Sequence, residues 1–78
     1  MSSKNLNLIA ARKNSNLTQS ELAEQLGVRK STISNWETGY SNPSINQAVK
    51  ISEVLNENLD FLFAKKVQEF HTKKLTKV

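Results

Sequence analysis

Cysteine is absent from this 78-residue chain, so neither a disulfide nor a thiolate metal site can support the fold, and nothing points to an oxidising compartment. Proline occurs once and glycine twice, and the chain holds no internal repeat and no low-complexity segment. The longest apolar runs, such as Leu8 to Ala11, are far too short for a membrane span or a signal-peptide core. A cytoplasmic protein is the expectation. The single histidine, His71, has no metal partner at ligand spacing and reads as a solvated side chain. No phosphate-cradling glycine loop, metal cluster or paired catalytic groups stand out, which argues against an enzyme and against a cofactor or small-molecule substrate. A chain this short makes one domain and hides only roughly 60–65% of its unfolded surface, leaving no room for a large enclosed active site.

Charge of either sign is evenly matched over most of the length. Residues 1–64 hold Lys4, Arg12, Lys13, Arg29, Lys30 and Lys50 against Glu21, Glu24, Glu37, Glu53, Glu57 and Asp60. The whole net charge of +4 sits in the tail, where Lys65, Lys66, Lys73, Lys74 and Lys77 outnumber Glu69. A basic isoelectric point alone is therefore weak evidence for nucleic acid, and the placement of the charges carries more. Arg29 and Lys30 stand together, whereas Glu53, Glu57 and Asp60 come late, a segregation that fits one binding face and one face turned away.

What the chain does have is concentrated in residues 17–39, LTQSELAEQLGVRKSTISNWETG. Two short amphipathic helical patterns meet there at Gly27. The first runs from Thr18 to Leu26. Thr18 supplies a capping oxygen, Gln19 and Glu21 fall in the first turn, and Leu22, Ala23 and Leu26 share a face. Gly27 can end that helix in a left-handed conformation without a Cβ clash. The second pattern runs from about Lys30 to Glu37. It buries Ile33 and Trp36 and turns Lys30, Ser31, Ser34 and Asn35 outward. Two helices joined by a few residues around a glycine form a helix-turn-helix unit (residues 18–37), whose second helix is sized for a DNA major groove.

Three further helices complete the reading. Helix 1 is expected over about Lys4 to Asn14, with Leu8 and Ala11 inward and Ile9 flanking. Asn16 can take the left-handed turn conformation, and Leu17 staples the approach to the second helix. A loop of Thr38-Gly39-Tyr40-Ser41-Asn42-Pro43 follows helix 3. Ser44 caps helix 4, which runs to Leu55 with Ile45, Ala48, Ile51, Ser52 and Leu55 on its buried face, and Asn56 ends it. Asn58 caps a short helix 5 holding Leu59 and Leu62, with Phe61 and Phe63 beside them. The expected domain spans residues 1–63. Residues 64–78 form a basic tail for which helix, strand and disorder all fit; Val67, Phe70 and Thr72 favour an extended segment, with a part in dimerisation.

These residues resemble the phage-repressor type of helix-turn-helix, the XRE or Cro/C1-type family. The resemblance covers about Leu8 to Phe63. It rests on Arg12, the T-Q-x-E-L-A-x-x-L-G-V run of 18–28, the S-T-I-S-x-W-E-x-G run of 31–39, the N-P-S of 42–44 and the L-D-x-L of 59–62. Three positions depart from the pattern: Arg29 where a Ser or Thr cap is usual, Thr38 where Asn is common, and Glu57 where an apolar residue is usual in a region many members use for dimer contact.

The resemblance implies an all-α, compact five-helix bundle that binds double-stranded DNA as a homodimer on a two-fold operator, with helix 30–37 in the major groove. Lys30, Ser31 and Asn35 are then the base-reading residues, and Arg29 and Ser34 meet backbone or base. Gln19, Thr18, Tyr40, Ser41 and Asn42 meet the DNA backbone. Arg12 and Glu37 match positions that form a structural ion pair. Leu59, Phe61, Leu62 and Phe63, more apolar surface than so short a helix can easily hide, are assigned to the dimer interface. The function expected is a sequence-specific transcriptional regulator, first of all a repressor of a phage, mobile element or small operon. A protein-interaction module such as an antitoxin or adaptor is the rival from another class. Trp36 is core in either case.

Overall fold

The computed structural model describes residues 4–63, and every one of its regular elements is a helix: α1 (Leu6–Asn14), α2 (Gln19–Leu26), α3 (Lys30–Thr38), α4 (Ile45–Leu55) and α5 (residues 59–63). None of these helices is long and apolar enough to cross a membrane. The expected elements are all present. The readings made for the tail lie outside the described residues.

With two glycines available, the chain uses asparagine for the other sharp corners. Each of the four connections contains one residue in the left-handed region: Asn16 (φ 59°), Gly27 (φ 70°), Gly39 (φ 82°) and Asn56 (φ 51°). Gly27 and Gly39 are the C-caps of α2 and α3, and Asn56 is that of α4. Asparagine is the side chain that tolerates this conformation best after glycine.

The helix starts are fixed by side-chain oxygens. Thr18 and Glu21 form a reciprocal capping box on α2, the Glu21 N–H donating to Thr18 Oγ1 (3.1 Å) and the Thr18 N–H to Glu21 Oε1 (2.8 Å). Ser44 and Gln47 do the same for α4. α1 starts at Leu6, two residues later than the sequence pattern places it, because Asn5 Oδ1 accepts the Leu8 N–H and makes Asn5 the cap. α3 runs one residue further than expected, to Thr38.

The core takes one fully buried side chain from each helix: Leu8, Leu22, Ile33, Ile51 and Leu62. Each such side chain is worth about 1.5–3 kcal/mol of transfer free energy, so no single helix dominates the cohesion of the bundle. Ala11, Ala23, Trp36, Ala48, Leu55 and Phe63 fill the spaces between them, and Leu17, Leu26, Val28, Val54 and Leu59 pack around the edge. Two expectations for α4 are corrected. Ile45 is 44% exposed, because the first residue of the helix lies beyond the reach of the core; Ser52 is only half-buried and turns its hydroxyl to the Val49 carbonyl (2.6 Å).

The start of α1 also closes the bundle. The Asn5 N–H donates to the Glu37 carbonyl at the end of α3, Asn5 Nδ2 to the Leu62 carbonyl, and Asn7 Nδ2 to the Phe61 carbonyl, each at 2.8 Å. Three short helices are thus tied at one point by two asparagine side chains and one backbone group.

Candidate nucleic-acid interface

α3 has two faces with opposite tasks. Ile33 and Trp36 are buried in the core, and Glu37 is buried beside them. Lys30 and Ser31 are exposed in the first turn, and Ser34 and Asn35 are half-exposed one turn later on the same side. The helix therefore presents a polar strip of one lysine, two serines and one asparagine, held in place by an apolar strip behind it. Arg29 is the N-cap residue, is exposed, and makes no side-chain capping bond. Its guanidinium stands at the helix start, where first-turn amides ahead of Thr32 have no intrahelical acceptor and attract an anion.

The loop after α3 is strapped to that helix. The Asn35 carbonyl accepts both the Ser41 N–H (3.2 Å) and the Thr38 hydroxyl (3.3 Å), and Pro43 is buried beneath the loop. Tyr40 is 78% exposed and Asn42 is exposed, while Ser41 is half-buried. These side chains stand at the C-terminal end of the polar strip, with Arg29 at the other.

Behind the strip lies a buried polar network. Arg12 Nε donates to Glu37 Oε2 at 2.5 Å, its second guanidinium nitrogen reaches Glu37 Oε1 at 3.4 Å, and the third donates to the Leu17 carbonyl at 2.7 Å. Gln19 Nε2 donates to Glu37 Oε1 at 2.9 Å. One carboxylate on α3 thereby holds α1 through Arg12 and the first residue of α2 through Gln19. No buried side-chain nitrogen or oxygen among the described residues lacks a partner, as a buried ion pair requires. Arg12 is itself buried, with each of its three nitrogens on a protein acceptor.

The sequence-derived site residues fall into three groups. Arg29, Lys30, Ser31, Ser34 and Asn35 share one face, with Tyr40, Ser41 and Asn42 continuing it. Thr18 and Gln19, expected on the DNA backbone, are both already engaged inside the protein, Thr18 in its capping box and Gln19 on Glu37. The set Leu59, Phe61, Leu62 and Phe63 is divided, and its reading is corrected: Leu62 (2% exposed) and Phe63 (8%) are core, because α5 turns that side into the shared apolar cluster. Leu59 is partly buried, and Phe61 alone of the four stays open, at 41%. Sequence reasoning missed the Gln19–Glu37 bond and the Asn5 and Asn7 ties, which join residues far apart in the chain. It also passed over Gln47, although S-x-x-Q ahead of a helical pattern is a readable capping-box signature.

Comparison with known proteins agrees with this fold. The Helix-turn-helix family model matches residues 8–62. An uncharacterised HTH-type transcriptional regulator of Archaeoglobus fulgidus is 46% identical over 48 residues, which are 62% of this chain and 68% of that protein. The HTH-type transcriptional regulator ImmR of Bacillus subtilis is 34% identical over 55 residues, 70% of this chain but 43% of ImmR. Among solved structures, a "putative DNA-binding protein" from Bacteroides fragilis superposes with a TM-score of 0.66 at 32% identity, covering 80% of this chain and 97% of that one.

Proposed function

The chain belongs to the helix-turn-helix family of the Cro/C1 type, and from that premise we propose that it is a DNA-binding transcriptional regulator, a repressor acting in the cytoplasm on a phage, mobile-element or small-operon control region. The observation that carries the reading is the division of α3: an inner face fixed by Ile33, Trp36 and Glu37, and an outer face of exposed Lys30 and Ser31 and half-exposed Ser34 and Asn35. An α-helix fits the B-DNA major groove, and the first turns of such a helix reach base edges.

Lys30 donates to guanine O6 and N7, and Asn35 pairs with adenine N6 and N7 through its amide. Ser31 joins them in reading bases, and Ser34 meets base or backbone. Arg29, whose side chain makes no capping bond, binds phosphate or guanine. Thr18, Gln19, Tyr40, Ser41 and Asn42 set the register on the DNA backbone, which carries affinity without sequence information. The chain works as a two-fold homodimer with recognition helices about 34 Å apart. Phe61 and the exposed edge of Leu59 contribute to that interface, and Leu62 and Phe63 do not.

Selection of bound sites from a random duplex pool tests the reading. Two inverted half-sites about one helical turn apart, with affinity falling steeply as salt rises, are the expected result. Absence of any sequence preference, together with capture of a protein partner by the bundle, would favour the adaptor instead.

A further inference from the structure

We propose that Glu37, which is buried and cannot touch DNA, is a positioning residue for phosphate binding: it sets the orientation of the Gln19 amide and thereby locks the backbone clamp at the start of α2 to the base-reading helix α3. The inference rests on the DNA-binding reading above and adds to it a second task for a side chain otherwise assigned to stability.

The chemistry of the two groups dictates the arrangement. A carboxylate only accepts hydrogen bonds, whereas a primary amide has a donor end and an acceptor end. Glu37 Oε1, 2.9 Å from Gln19 Nε2, therefore selects one of the two amide orientations; turning the amide over would place its carbonyl oxygen against the carboxylate. Glu37 cannot move to accommodate a flip, because its other oxygen is held by Arg12 Nε, its main-chain carbonyl accepts the Asn5 N–H, and only 3% of the residue is exposed.

Nε2 carries a second hydrogen, which no described residue engages. It sits on the first residue of α2, half-exposed, beside amides of the helix start that attract an anion. A free N–H there can meet only an acceptor, and a DNA phosphate oxygen is the acceptor this face would offer. Without Glu37 the amide would present donor and acceptor ends about equally, and half of its orientations would turn a carbonyl oxygen to the phosphate. Since Glu37 is part of α3, the distance between phosphate clamp and base-reading strip becomes a fixed property of the folded domain.

A double-mutant cycle on DNA affinity in the full chain tests this, using Gln19→Met in the parent and in an Arg12→Met/Glu37→Met background that removes both buried charges together. In the parent, Gln19→Met should weaken the selected operator and unrelated duplex alike by about ten-fold, the scale of one charge-assisted hydrogen bond. In the charge-free background the same substitution should cost about two-fold or less. An equal loss in both backgrounds would overturn the positioning role, as would no loss in the parent. Should the charge-free background fail to fold, the Gln19 side-chain amide protons of the 15N-labelled parent decide the matter. The expected result is two well-separated signals before DNA is added and displacement of only one on binding, the Glu37-bound proton staying in place. Collapse of the pair to the averaged shifts of a free amide, or movement of neither, would reject the proposal. A parent chain that binds no DNA at all defeats the functional reading itself, a result distinct from any of these.

Discussion

Arg12 and Glu37 meet across 25 positions of sequence, with the arginine side chain 10% and the glutamate side chain 4% exposed. A pair so placed differs from a surface salt bridge, which would be worth about 0–1 kcal/mol. Desolvation has already taken most of the Coulombic gain, so the pair itself adds little, but breaking it leaves one charge stranded in the interior. Glu37→Met should cost about 3–5 kcal/mol, and Arg12→Met a comparable amount because it also releases the Leu17 carbonyl. The double replacement Arg12→Met/Glu37→Met should be less destabilised than the sum of the two single ones. Urea unfolding followed by the fluorescence of Trp36, which is buried in the core, measures all four corners of the cycle. A coupling energy indistinguishable from zero would mean that the two charges act independently.

Arg29 occupies the N-cap of α3 without capping it, which sets stability against binding. Arg29→Ser supplies the missing side-chain oxygen and should stabilise the domain by about 1 kcal/mol, a rise of roughly 4–8 °C in Tm for a domain of this size. The same change removes a positive charge from the proposed DNA face and should weaken operator binding while flattening its salt dependence by about one phosphate contact. A thermal melt and a salt-titrated binding curve on one variant check both signs. Loss of stability, or unchanged DNA affinity, would show that Arg29 has been read wrongly.

The bundle is largely legible in the sequence because its signals are local. Thr18, Ser44, Gly27, Asn16 and Asn56 each announce a helix end by a property of a single residue, and the spacing of Leu22, Ile33, Trp36 and Ile51 announces a buried face. The outward strip Lys30, Ser31, Ser34 and Asn35 follows from the same period. What could not be read is non-local. Whether Phe61 or Phe63 turns inward depends on where α5 lands, and both fit a short amphipathic helix equally well. Gln19 looks like an ordinary first-turn residue until Glu37, eighteen positions on, is brought beside it. Asn5 and Asn7 have no pattern at all; their partners are carbonyls, which every residue possesses.

Asn5 should matter more than its polar, half-buried character implies. Its side chain both caps α1 and donates to the Leu62 carbonyl. Asn5→Ala should therefore destabilise by about 2 kcal/mol, one lost cap plus one unpaired carbonyl. Asn7, exposed and making a single bond to the Phe61 carbonyl, should cost about 0.5 kcal/mol or less when replaced by Ala. Equal effects in chemical denaturation would contradict the ranking.

Adjacent residues of α5 should separate folding from assembly. Leu62→Ala opens a cavity in the core and should cost about 2–5 kcal/mol. Phe61→Glu alters a side chain that is 41% exposed and should leave monomer stability within about 1 kcal/mol, while placing two like charges near the proposed two-fold axis. Sedimentation equilibrium at micromolar concentration should then show dimer for the parent and monomer for Phe61→Glu. If both remain dimeric, the interface lies elsewhere; if the parent is already monomeric, the two-fold reading fails in solution.

Asn35 carries the most specific expectation. Its carbonyl anchors the following loop through Ser41 and Thr38, but its amide is on the outward strip, one turn beyond Lys30 and Ser31. Backbone and side chain therefore do separate work, and Asn35→Ala removes only the second. Operator affinity should fall by about 1–3 kcal/mol, with preference relaxed at one base pair in each half-site. The thermal melt should stay close to that of the parent, because the loop contacts use the carbonyl. Tyr40→Ala, by contrast, should weaken all sequences about equally, as loss of a backbone contact does. Site selection repeated with each variant distinguishes them. Should Asn35→Ala select the parental operator unchanged while Tyr40→Ala selects a new one, bases are read from the loop and α3 only positions it.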